Sequence, residues 1–183
     1  MSHMLLTDSR LFELILKIDA DTVAATRAGS CPHCEGPLDQ AYYPRKPRGL
    51  PATLESAFMR RPSFCCRRDG CRTRLTPTLI GFLGRRVYVS VVVVLAAALR
   101  QGCNPRRLGD LHRLIGVSAR TVRRWLAWWR YIFPASDFWR EKRAALVPPV
   151  DDAGLPRVLF ERLALAHGNE FIGLSVLLRL LAS

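Results

Sequence analysis

The sequence predicts a mainly α-helical chain that carries one small β unit. Three observations point there. Apolar residues recur at helical spacing in residues 8–28, 105–133 and 156–182. A Gly116-Val117 break interrupts the middle run, as a sharp turn between two helices would. Between the first two runs lies a cysteine-bearing stretch, residues 29–76, punctuated by Gly and Pro.

Composition narrows the function classes. A chain of 183 residues is one ordinary domain or two small ones, and 49% apolar residues exclude wholesale disorder. Lys and Arg total 28 against 15 Asp and Glu, a net charge of +13. All the excess is central: residues 31–87 and 88–134 each carry +7, residues 1–30 carry −1 and residues 135–183 are neutral. A uniform solubility coat would not be so localised, so a polyanion partner is expected. The longest near-apolar run, 87–99, is thirteen residues, short of the about 20 that span a membrane. The N-terminal residues lack a basic n-region and a continuous apolar core, so a cytoplasmic, nucleoid-associated location is expected and no membrane. Clustered cysteines there are more often metal ligands or catalytic groups than disulfides.

The first segment, residues 1–28, is an N-terminal helix. Leu11, Leu14, Ile15 and Ile18 share one face, and Asp8 or Ser9 caps it. Residues 29–84 form the cysteine unit. Cys31-Pro32-His33-Cys34 spaces two thiolates two residues apart, and Gly36 allows the tight turn that follows. A second set stands in Cys65-Cys66-Arg67-Arg68-Asp69-Gly70-Cys71. Strand neighbours point to opposite faces, so only one of Cys65 and Cys66 can join Cys71. Cys66, on the face of Phe64, is preferred. The candidate ligands are therefore Cys31, Cys34, Cys66 and Cys71, with His33 turned away. This arrangement resembles a zinc ribbon and implies zinc in a closed structural site, with no open position for hydrolysis.

Two other readings of the cysteines stay open. Cys-Pro-His-Cys is also an active-site sequence of thioredoxin-fold oxidoreductases, which would use Cys31 and Cys34 at a helix N-terminus after a strand. Disulfide stapling would need an oxidising compartment. Cys103 reads as a buried thiol. Between the cysteine pairs, Tyr42 and Tyr43 stand beside a basic cluster, Arg45, Lys46 and Arg48, suited to phosphates or to a solvated loop.

Residues 85–134 hold the second pattern. The run 88–99 favours a strand by its four valines but a helix by its Leu-Ala continuation and length, and helix is expected. Asn104 caps a helix opening at Pro105, with Leu108, Leu111, Leu114 and Ile115 as its apolar face. Ser118 caps the next helix, whose inward stripe is Val122, Trp125, Leu126 and Trp129, and Pro134 closes it. The segment 116–126 resembles the second helices of helix-turn-helix regulators and transposases, and implies a three-helix core whose helix 118–133 reads DNA. One departure is His112, where that family usually has a small residue. Ser118, Arg120, Thr121, Arg123 and Arg124 would face bases and phosphates, and Arg106, Arg107 and Arg113 would follow the backbone. An αα-hairpin with a solvated Arg face is the plainer alternative, but Asp110 is the single acid in 88–134.

Residues 135–183 read as a C-terminal helical interaction segment, with helices over 156–166 and 170–182 broken at Gly168-Asn169. A cysteine unit followed by a helix-turn-helix resembles the DNA-binding parts of bacterial insertion-sequence transposases and the small proteins encoded beside them. That resemblance implies a DNA-recognition or accessory component of a mobile element. Its partners would be double-stranded DNA and either a transposase or recombinase subunit or a second copy through 135–183. A transcriptional regulator of ordinary genes would use the same modules. RNA binding suits the cysteine unit but not the second module. Asp137, Glu141, Asp151, Asp152, Glu161 and Glu170 could supply carboxylates for a nuclease, but residues 135–183 are too short a stretch to build its metal-holding core, so no catalysis is expected.

Overall fold

The computed structural model describes residues 8–50, 55–82, 88–97 and 104–182, so Arg85, Arg86 and Cys103 lie outside the described residues. Helix α1 (Ser9–Ala28) starts where the Asp8 carboxylate accepts the Arg10 N–H at 3.0 Å. Its stripe of Leu11, Phe12, Ile15 and Ile18 is buried, while Leu14 lies at the stripe's edge. An antiparallel sheet follows, of β1 (Leu38–Pro44), β2 (Arg60–Cys66) and β3 (Arg74–Leu75), in the order β1-β2-β3. Leu38 pairs with Cys66 and Pro44 with Arg60, while Phe64 pairs with Leu75. Strand alternation buries Phe64 and Cys66 completely and leaves Cys65 half-buried.

A four-residue helix, α2 (Glu55–Phe58), precedes β2 and sends Phe58 under α1. The Phe58 ring meets Phe12 at 6.3 Å and Phe82 at 6.1 Å, both edge to face. Helix α3 (Ser90–Ala97) carries the valine run, and Val92, Val93, Val94 and Leu95 have no exposed surface. A helix apolar all round is stable only when covered on every side, and that burial overrides the strand propensity of valine.

Helices α4 (Pro105–Ile115) and α5 (Ala119–Ala127) are joined by a short turn. Gly116 sits there at φ +64°, a backbone region that side-chain-bearing residues avoid. The Ser118 hydroxyl accepts the Thr121 N–H at 3.3 Å and starts α5. Leu108, Leu111, Ile115 and Val117 pack inward against Val122, Trp125 and Trp129. Leu114 does not join them: it is 37% exposed, because it lies about a quarter turn from the stripe through 108, 111 and 115. His112 is exposed too, so its size does not obstruct the crossing.

The expected helix 118–133 is not one regular helix. After Ala127 it widens into a π-helical turn, Trp128–Ile132, in which the Phe133 N–H reaches the Trp128 carbonyl at 2.9 Å. Residues five apart stand about 140° round an α-helix, and widening brings them nearer one face. The rings of Trp128 and Trp129 can then both touch Phe133, at 5.2 and 4.7 Å. Phe133 also meets Trp139 of α6 (Asp137–Ala144) at 5.1 Å. The Trp139 indole donates to Asp152 at 2.7 Å, and Arg143 donates to the same carboxylate at 2.6 Å.

The last two helices, α7 (Arg157–Ala166) and α8 (Glu170–Ala182), form a hairpin. Asn169 caps α8, its side-chain oxygen accepting the Phe171 N–H at 2.8 Å. The helices approach closely at Gly173, where an added Cβ would lie 2.5 Å from the Ala164 backbone. One hydrophobic cluster runs from α1 through Phe58, Phe82 and α3 to α4, α5, α7 and α8. Among the described residues no helix is long and apolar enough to cross a membrane.

The link between the sheet and α3 is pinned by Asp19 of α1, whose carboxylate accepts the N–H groups of Ile80 at 2.7 Å and Gly81 at 3.0 Å. Burial raises the Asp19 pKa from 3.8 to about 6, against the lowering effect of those two N–H groups and of Arg45. The folded chain therefore holds this proton more tightly than the unfolded chain. The group's contribution to stability is full below pH 3.8 and is lost as the pH rises through about 6. Urea unfolding at pH 4.5 and pH 7 should show that fall in the native chain and a flatter response in Asp19→Asn. Gly81→Ala should destabilise at both pH values, since its Cβ would stand 2.6 Å from the Asp19 carboxylate.

Candidate metal centre and basic faces

The pairing of β1 with β2 brings two loops to one end of the sheet. The first, before β1, carries Cys31 and Cys34. It is closed by the Cys31 N–H on the Gly36 carbonyl at 2.9 Å and the Glu35 N–H on the Cys31 carbonyl at 2.8 Å. The second, between β2 and β3, carries Cys71, whose N–H reaches the Arg68 carbonyl at 3.2 Å. Arg68 joins the loops: its guanidinium donates to the Cys34 carbonyl at 2.7 Å and its N–H points at the Cys66 sulfur at 3.4 Å. At the rim, Arg67 forms a two-pronged pair with Asp39.

The result is a group of four sulfurs, Cys31, Cys34, Cys66 and Cys71, all within 4.8 Å of one another. Cys31 and Cys71 are 3.7 Å apart and Cys34 and Cys66 3.5 Å. Four thiolates at about 2.3 Å from one ion in a tetrahedron stand about 3.8 Å apart, so the edges fit a bound metal. They are far longer than the about 2.05 Å of a disulfide. Gly36 makes room for this packing, since a Cβ there would lie 3.1 Å from the Cys66 sulfur and 3.3 Å from that of Cys34. The four cysteines can hold a metal ion, and they leave no protein-side gap in a four-ligand shell.

The sulfurs differ in acidity. The Thr73 hydroxyl, 3.2 Å away, and the Thr73 N–H hold the Cys71 thiol down to about 6, and burial pushes Cys66 up to about 12. Four crowded thiols cannot all ionise without a cation, so loading a metal must release protons. Cys65 faces away, with its sulfur 3.6 Å from the Arg72 carbonyl, and His33 is exposed. Cys31 and Cys34 occupy a turn ahead of a strand, not the start of a helix. Thr73 and Arg68 join the site without belonging to the cysteine pattern of the sequence. A hydroxyl two residues past the last cysteine was the available signal for Thr73; nothing local marked Arg68.

The basic residues fall in two places. On α5, Arg120, Arg123 and Arg124 are exposed beside Ser118 and Thr121, whose hydroxyls lie 3.0 Å apart. On α4, Arg106 is exposed and Arg113 pairs with Asp110 at 2.5 Å. The Arg107 side chain lies outside what is described. Among the described ion pairs, none involves Arg106, Arg120, Arg123 or Arg124. In the loop after β1, Lys46 and Arg48 are exposed, whereas Arg45 is half-buried with its guanidinium 3.8 Å over the Phe82 ring. The two places are linked. Arg48 bridges to Tyr88, accepting the Val89 N–H at 3.2 Å, and the Tyr88 ring meets Trp125 of α5 at 5.0 Å.

No protein-family model, curated protein or solved structure matches this chain.

Metal content by mass spectrometry should separate the adjacent cysteines. Cys66→Ser should lose the ion and loosen the sheet, seen as a lower melting temperature. Cys65→Ser should keep both near the native values. The reverse pattern would move the fourth ligand to Cys65.

Proposed function

We propose that this chain is a zinc-containing DNA-binding protein that reads a duplex with α5. Its role would be recognition or accessory binding for a mobile genetic element. Zinc is the metal of choice because the donor set is four thiolates and closed, which suits a structural ion. The observation that carries DNA binding is the outer face of α5. Arg120, Arg123 and Arg124 project together there, while Val122, Trp125 and Trp129 anchor the inner face in the core. Such a helix, one turn after another helix, has the shape and charge to enter a major groove. Its arginines can pair two-pronged with guanine. Ser118 and Thr121, at the helix N-terminus, suit a phosphate. Arg106 and Arg113 on α4, and Lys46 and Arg48 in the loop tied to α5 through Tyr88, suit the backbone on either side.

The mobile-element role rests on the resemblance of the paired modules. A transcriptional regulator would make the same contacts, and the identity of the selected target site separates the two. Leu165, 84% exposed, and Ile172, 46% exposed, support α7 and α8 as the surface for a recombinase subunit or a second copy.

Binding of the zinc-loaded chain to random and to selected duplexes should be measured across a salt series. Affinity should fall steeply with salt. Arg123→Ala or Arg120→Ala should cost about 1–3 kcal/mol on the selected site and less on random DNA. Arg48→Ala should weaken both alike. Equal losses on every sequence from all three variants would remove α5 as the reading helix.

A further inference from the structure

One face of the sheet takes no part in the DNA reading of α5. Tyr42 and Pro62 line a hollow against Leu16 and Val23 of α1, so strand alternation turns Tyr43 and Ser63 the other way. Cross-strand partners share a face, which sets Ala41 beside Ser63, and Asp39 beside Cys65 and Arg74.

This outer face carries an open aromatic ring. Tyr43 is 44% exposed, and its hydroxyl accepts an N–H of the Arg74 guanidinium at 3.4 Å. The two residues stand on the two edge strands, so Tyr43 leans across β2, over small residues, to meet Arg74. Ser63, on that path, is only 7% exposed.

The surrounding charge is positive. The single acid of the face, Asp39, is bonded by Arg67, and Arg67 first and Arg72 by its charge hold its carboxyl below the ordinary value. Among the described ion pairs none involves Arg72 or Arg74. Arg72 stands at φ +46°, a left-handed backbone that costs an arginine more than a glycine. No Leu, Ile, Val, Met or Phe flanks the ring on this face, so the apolar centre of a protein interface is missing. A duplex hides the flat faces of its bases. An unpaired base offers a flat face to an aromatic ring and its phosphates to arginines.

We propose that the outer face of the sheet binds a single nucleic-acid strand, with one unpaired base stacked on Tyr43 and the flanking phosphates held by Arg72 and Arg74. This site is separate from the α5 face and is tested without it.

The test uses the metal-loaded full chain and fluorescein-labelled strands of eight nucleotides, read by anisotropy. One strand is all thymidine, one is all abasic deoxyribose with the same charge, and one is all uridine. The native chain should bind the thymidine strand about tenfold more tightly than the abasic strand. Tyr43→Leu should remove that advantage, leaving abasic binding within about twofold, and Tyr43→Trp should keep it. Tyr42→Leu, an exposed ring lost from the opposite face, should leave both strands within about twofold. Arg74→Gln should weaken both strands by more than Arg130→Gln, an exposed change outside the sheet. Metal content and circular dichroism confirm that each variant is folded. A preference for thymidine over uridine assigns DNA as the source, and the reverse assigns RNA. Equal native affinity for thymidine and abasic strands overturns the proposal. So does a loss from Tyr43→Leu no larger than that from Tyr42→Leu. A larger loss from Arg120→Ala or Arg123→Ala than from Tyr43→Leu also overturns it, by placing the strand on α5. The duplex measurements decide the α5 reading separately.

Discussion

Four thiol sulfurs lie within 4.8 Å of one another at the end of β2, and they can shed their protons together only around a cation. A metal held there would brace the β unit. Its third strand is two residues long, and the strands bury Phe64 and the candidate ligand Cys66 completely. Three short strands with so little core are marginal by themselves. A metal joining Cys31 to Cys71 closes a long loop and shortens the unfolded chain's freedom, as a cross-link does. The register of β1 on β2 is part of the same constraint. A slip of one residue would turn Cys66 outward and Cys65 inward, and the Arg68 N–H would lose the Cys66 sulfur.

The sheet is not isolated from the helices. Phe58 and Phe82, on either side of the strands, pack with Phe12 of α1 in the cluster that continues through α3 to α5 and α8. Asp19 fastens the segment between them by two backbone hydrogen bonds. The basic loop after β1 reaches α5 by a second route, from Arg48 to Tyr88 to Trp125. Positive charge from two separate parts of the sequence is thereby carried on one packed body. The C-terminal hairpin, within the neutral segment 135–183, uses Leu174, Leu177 and Leu178 to complete the same core.

Much of the secondary structure was legible because its signals are local. Asp8 and Ser118 each cap a helix through their own side chains, and the break read at Gly168-Asn169 falls where α7 ends and α8 begins. Cys66 could be preferred over Cys65 because alternation in a strand is a property of the backbone. Positions that depend on distant partners were misjudged or unseen. Leu114 was counted with the inner stripe but faces out, and the end of α5 widens to serve an aromatic cluster completed by Trp139. Arg45, grouped with the exposed loop cations, lies against Phe82.

By itself the sequence determined the longer helices, but not α2 or α6, together with the four candidate ligands and the central location of the positive charge. Capping, alternation, cysteine spacing and charge are all encoded within a few residues of where they act. Only the tertiary structure decided that the four sulfurs meet, that the Arg48 loop is tied to α5, and that Asp19 is half-buried against the link at Ile80 and Gly81. Those outcomes depend on contacts between residues 30 or more positions apart, where packing and desolvation, not local propensity, set the free energy.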